Sequence, residues 1–296
     1  LGIKSVSRWK TGAFAWLLLL PSLLFLFLFT FYPIAKTIRL SFYQADLASP
    51  EPVFIGLGNY SGLFADEVFV KVMSNNLLFA LGTVPTSMAL ALLMAVFANK
   101  AMRGTGLMRT AFFYPTMIPM IAVANIWLFI YTPKYGLLSR AMTALGMGEI
   151  NWLGSPDYVM WAMIAMMIWK EAGYFMIFYL AGLQNISPDL YESAQVDGVS
   201  RWTVFRKITF PLLMPTTLFV SIVALTNSFK LVDHLLVMTK GGPNNSSNLL
   251  LYYIYETAFG FWDQGVASAL TVVMIAVLLL FAALNFLGLD KKIHYN

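Results

Sequence analysis

The chain has 296 residues, of which 59% are hydrophobic and 11% charged, with no cysteine, two histidines and a net charge of +5. Soluble domains carry roughly 25% charged residues, so this composition excludes a soluble protein and predicts an all-α, polytopic membrane protein. Absent cysteines rule out disulfides and thiolate metal sites, His234 and His294 make no zinc-ligand cluster, and no GxxxxGKS/T loop is present, so the chain is not by itself a P-loop ATPase.

Six segments reach the roughly 20 apolar residues that cross a bilayer core. They lie near 12–35, 72–98, 110–131, 158–183, 212–238 and 264–288, and 1–296 reads as one transmembrane domain. The first has span length and no small-residue cleavage site, so it is expected to be a retained helix and not a signal peptide. Because the chain starts at Leu1, a few residues are expected to precede it. Pro21, Pro85, Pro115 and Pro119 interrupt spans, which is tolerable where neighbouring helices or water satisfy the freed carbonyls. After the first span, residues 40–70 carry Phe54 to Phe64, FIGLGNYSGLF, expected to fold back onto the membrane surface.

Loop charges give an orientation. Lys4, Arg8, Lys10, Lys100, Arg103, Arg109, Arg201, Arg206, Lys207, Lys291 and Lys292 fall on one side, against Lys36, Arg39, Lys71, Lys134, Arg140 and Lys240 on the other. Acids lean the opposite way, so both termini and the loop after the fourth span are expected in the cytoplasm. The charge is a topology signal, and no basic tract suits nucleic acid.

Four ionisable residues fall inside predicted spans: Lys170, Glu171, Lys230 and Asp233. Each costs roughly 2.5–3.5 kcal/mol at the centre of a lipid-facing helix, so each should face protein or water. Two readings stay open. Lys170 or Glu171 pairs with Asp233 or Lys230 and fixes helix packing, or all four line a polar path for solute. Tyr174 shares a helix face with Glu171, while Asn227, Lys230 and Asp233, with Ser228 beside them, make a polar stripe at every third residue. Trp127, Tyr131, Trp161, Trp169 and Phe229 are candidates for stacking on sugar rings, although most such aromatics are core or interfacial. The run Met160, Met163, Met166 and Met167 reads as adaptable packing.

Between the fourth and fifth spans lies a polar island, SPDLYESAQVDGVSRWTVFRKITFPLLMP, from Ser187 to Pro215. Ser187 can cap a helix with Pro188 at its first position and Asp189 near its positive end. Asp197-Gly198 breaks that helix, and a second follows with Trp202, Phe205 and Ile208 on one apolar stripe. Such a short helix-turn-helix needs a partner to press against.

Glu192, Ser193, Ala194, Gly198, Ile208, Phe210 and Pro211 follow the spacing of the EAA loop (187–211 here), with Ser193 where alanine is usual and Phe210 where leucine is usual. In this loop the chain resembles the permease subunits of bacterial binding-protein-dependent ABC importers. Flanking segments resemble the sugar-importer branch with its maltose-type and glycerol-3-phosphate-type permeases: Phe54 to Tyr60, Leu183-Gln184-Asn185-Ile186 and Thr239-Lys240-Gly241-Gly242-Pro243.

The resemblance implies a type I importer fold and an inner-membrane subunit that is not an enzyme. It implies a homologous second permease, an ABC ATPase dimer that holds ATP and magnesium, a solute-binding protein and a sugar-like solute; no cofactor is expected on this chain. Glu192, Ser193, Ala194, Asp197 and Gly198 would couple to the ATPase, with Ala194 allowing close approach. Lys170, Glu171, Tyr174, Asn227, Ser228, Lys230 and Asp233 would line the solute site, with Lys170 or Lys230 contacting an anionic or strongly polar group. The alternative is a secondary transporter driven by an ion gradient through Glu171 and Asp233. A membrane enzyme is disfavoured, since no HExxH, GxSxG or His/Cys cluster occurs.

Overall fold

The computed structural model describes residues 8–46, 51–100 and 104–289. Lys4, Arg103, Lys291 and Lys292, part of the charge count, lie outside the described residues, as does His294. Contacts divide the chain into two units, one of residues 1–63 and 257–272, the other of residues 64–256 and 273–296.

In the first unit, α1 (Arg8–Leu26) runs through a π-helical turn, Phe27–Phe31, into α2 (Tyr32–Leu40). The apolar stretch Phe14–Leu40 is long enough to cross a membrane, and none of its most apolar window is buried in protein. Strands β1 (Tyr43–Gln44) and β2 (Val53–Phe54) then pair antiparallel, Tyr43 opposite Phe54, before α3 (Gly58–Ala65). Asn59 locks this hairpin, donating through Nδ2 to the carbonyls of Ser41 and Tyr43, both at 2.9 Å. Gly265 is needed beside it, because a Cβ there would stand 2.4 Å from the Tyr43 carbonyl oxygen. The Gly/aromatic stretch is thus a folded hairpin and helix.

The second unit holds the packed spans. Helix α4 (Glu67–Ala98) starts at Asp66, whose carboxylate accepts from the Val68 amide at 2.9 Å and from the Tyr253 hydroxyl at 2.8 Å. It is followed by α5 (Thr105–Met117), α6 (Met120–Tyr131), α7 (Leu137–Ala144) and α8 (Val159–Gln184). Helices α4 and α8 share the most extensive packing, and small residues explain it. Ala91, Ala95 and Ala98 are fully buried, and a Cβ on Gly82 would come within 2.8 Å of Ile164. In lipid, where burial of apolar surface gives little drive, close backbone approach supplies the attraction.

Beyond α8 come α9 (Pro188–Val196), α10 (Arg201–Val204), a π-helical turn Phe205–Thr209, α11 (Phe210–Leu212), α12 (Met214–Lys230) and α13 (Asp233–Met238). Helix α14 (Leu250–Tyr255) and a last π-helical turn, Glu256–Gly260, lead to α15 (Gln264–Leu289). The loop before α14 is held by α4. Lys71 Nζ donates to the Asn244 carbonyl at 2.6 Å, and Asn75 Nδ2 donates to those of Asn245 and Asn248 at 2.7 and 3.0 Å.

Among the described residues, five helical stretches are long and apolar enough to span, and a sixth is broken. The span expected over 110–131 is α5 and α6, bent by 98° between Met117 and Met120. Ile118 is extended there and Pro119 cannot donate to the ladder.

Candidate functional site

Two regions carry the polar chemistry, one inside the spans and one at their end. Inside, Lys170 faces the break between α5 and α6. Its ammonium donates to the carbonyls of Pro115 at 2.9 Å, Thr116 at 3.2 Å and Ile118. The residue is only 8% exposed, and an ammonium has three protons to give. Those protons go to carbonyls that a bent helix end leaves without an intrahelical partner. The expected pairing of Lys170 with Asp233 is therefore not seen, since its donors go to backbone carbonyls. Gly173, one turn on, seats the same helix, since a Cβ there would lie 2.1 Å from the Phe112 carbonyl oxygen.

Glu171 points elsewhere, as a step of one residue turns a helix by about 100°. Its Oε2 accepts from Asn227 Nδ2 at 2.8 Å, which bridges α8 to α12. Ser228, Thr83 and Ser87 join them around a void of about 10 Å³, about the size that holds one water. Glu171, Asn227 and Ser228 are thus brought together as expected. Thr83 and Ser87 were missed; their spacing of four on an apolar helix was the available signal.

The stripe expected to continue to Asp233 does not. Helix α12 ends at Lys230, Leu231 is extended, and Asp233 opens α13. Lys230 is exposed and Asp233 half-buried, so the every-third-residue register is broken between them. Tyr174 packs edge-on against Phe178, ring centroids 5.1 Å apart. The aromatic candidates divide. Trp127 packs against Tyr131 and edge-on to Trp169, Tyr131 spends its hydroxyl on the Ala162 carbonyl at 2.7 Å, and Phe229 is buried beside Phe281. Trp161 is 55% exposed. His234, also missed, is fully buried against Phe79 with no partner for either ring nitrogen among the described residues.

At the end of the spans, the helix from Pro188 is capped as the sequence predicts, Ser187 Oγ accepting from the Asp189 amide at 3.3 Å. It closes on a Schellman motif: the Val199 amide donates to the Ala194 carbonyl at 3.0 Å and the Gly198 amide to that of Gln195 at 3.1 Å. Gly198 takes φ +66°, which is why glycine stands there. Ser200 caps the next helix through the Thr203 amide, and the Tyr191 hydroxyl meets Thr209 Oγ1 at 3.2 Å, tying the two short helices together. Glu192, Ser193 and Asp197 are exposed and, with Asp189 and Val196, line an open notch of about 410 Å³. Ala194 departs from expectation. It is buried in its own chain at 5% exposure, so its small size serves internal packing. Trp202, on the expected apolar stripe, is 69% exposed and stacked on Phe205.

Residues 87–294 match the family of binding-protein-dependent transport system inner membrane components. The chain belongs to that family. It is a permease subunit of an ABC importer, and this membership leaves the ion-gradient alternative without support. The permease is 36% identical over 268 residues to the Probable ABC transporter permease protein YurN of Bacillus subtilis, covering 89% of this chain and 91% of that one. It is 34% identical to the sulfoquinovosyl glycerol transport system permease protein SmoG of Agrobacterium fabrum, covering 88% and 85%. Among solved structures, a bacterial ABC transporter that imports the acidic polysaccharide alginate matches with a TM-score of 0.84 at 24% identity, covering 96% of this permease and 98% of that chain. That likeness gives the fold, a type I importer permease.

Proposed function

We propose that this permease conducts a carbohydrate or related polar solute, delivered by a solute-binding protein, through a path beside the Glu171, Asn227 and Ser228 cluster. It pairs with a homologous second permease and an ABC ATPase dimer in a bacterial inner membrane. ATP and magnesium are held by the ATPase subunits and no cofactor by this chain. Both termini and the loop 187–211 lie in the cytoplasm, and Glu192, Ser193 and Asp197 face a groove of one ATPase.

One observation carries the reading. The helix Pro188–Val196 is fixed at both ends by its own chain while Glu192, Ser193 and Asp197 remain exposed. A short helix held by its own chain, with a polar face left exposed between two spans, suits force transmission, and carboxylate acceptors such as that of Glu192 make the strong contacts that would grip a basic partner. For the solute, sulfoquinovosyl glycerol in the name of the Agrobacterium relative supports a polar, sugar-like cargo.

The test is reconstitution of the permease pair with and without its ATPase subunits in sealed vesicles. Uptake of labelled solute should require binding protein and ATP together. Undiminished uptake by the permeases alone would overturn the proposal.

A further inference from the structure

A cavity of about 850 Å³ lies at the end of the spans that carries the loop 187–211. Its size falls within the roughly 300–1,000 Å³ of ligand pockets. It is walled by the last turns of two membrane-crossing helices, α4 and α8, and by the segment that leads into α12. Its lining has two halves. Val204 and Phe205 stand among the apolar residues, while Lys100 and Arg201 bring positive charge, and no lining residue is acidic. Lys100 lies over the Phe97 ring at 5.0 Å, and neither cation has a carboxylate partner among the described residues. The acids of α9 and its C-cap do not line the cavity, because Asp189, Glu192 and Asp197 line the separate notch.

We propose that this cavity holds one anionic phospholipid of the leaflet in which the loop 187–211 lies. Uncompensated cations select an anion, and an apolar wall selects one attached to hydrocarbon. Position favours a lipid over a free anion, since the cavity sits where two spans leave the membrane and basic pockets between helices on the cytoplasmic side bind anionic headgroups. The inference rests on the orientation proposed above. A lipid here would touch Gly198, which stands between the two short helices, so its presence would bear on the angle between them.

The experiment is native mass spectrometry of the purified full chain, delipidated and then titrated with dioleoylphosphatidylglycerol or dioleoylphosphatidylcholine. One phosphatidylglycerol should be retained in preference to phosphatidylcholine. The double variant K100Q/R201Q should lose affinity roughly thirtyfold, which corresponds to about 1 kcal/mol for each of the two cations, while K100R/R201K keeps it. Val204→Trp, which fills the cavity and spares the charges, should also displace the lipid, and a thermal melt identifies variants that are misfolded. Millimolar inorganic phosphate competing as well as the lipid would overturn the proposal in favour of a free-anion site. Equal retention by wild type, K100Q/R201Q and V204W would overturn it as well. Because lipid is read on this chain alone, failure of ATP-driven uptake leaves the lipid result separately interpretable.

Discussion

Lys170 shows how backbone carbonyls can hold an ammonium inside a span. Its three protons meet the carbonyls of Pro115, Thr116 and Ile118, and hydrogen bonds from a charged group contribute about 1.5–3 kcal/mol net. Replacing Lys170 by methionine strands those carbonyls and should cost about 2–3 kcal/mol of stability. Lys230, exposed at the end of α12, should change stability by about 0.5 kcal/mol or less when replaced in the same way. Thermal unfolding of the two variants in detergent checks this. Equal midpoints would mean that the clamp carries no weight. For Glu171 and Asn227, which join α8 to α12 at 2.8 Å, a double-mutant cycle to alanine should give a coupling of roughly 0.5–3 kcal/mol. Additive losses would show that the bridge is incidental.

At the scale of elements, Gly198 is the position where conformation and function meet. Its φ of +66° disfavours any side chain, yet a Cβ there would meet nothing within 4 Å. A Gly198→Leu change therefore strains one backbone turn without crowding the fold. It should lower solute uptake per ATP hydrolysed severalfold while the amount of folded permease stays near wild type; a parallel loss of folded protein would make the glycine a plain helix terminator. The capped helix around it was legible because its signals are local: Ser187, Pro188 and Gly198 act within a few residues of themselves. The spans were legible from hydropathy alone. The 98° bend was only half legible, for Pro119 marks a break but its angle depends on what packs beside it. Lys170's partners were not legible at all, because they lie more than fifty positions away on another helix. The break after Lys230 was hidden too, since Leu231 and Val232 are ordinary span residues and tertiary context stops the helix there.

For the whole molecule, the proposed cytoplasmic placement of the loop 187–211 is directly testable on this chain. It contains no cysteine, so a single introduced thiol reports without background. Ser193 is exposed on α9, and Asn245, on the loop braced by Asn75, is half-buried. The two belong to loops separated by one crossing, α12 with α13, and must therefore lie on opposite faces of the membrane. The excess of lysine and arginine on the side of Ser193 supports the proposed cytoplasmic placement of that side, because basic loops resist translocation. In intact cells treated with a membrane-impermeant maleimide, Asn245→Cys should label and Ser193→Cys should not, with the pattern reversed in inside-out vesicles stripped of the ATPase subunits. Labelling of Ser193→Cys from outside the cell would invert the topology, and with it the ATPase contact and the leaflet from which a bound phospholipid is drawn.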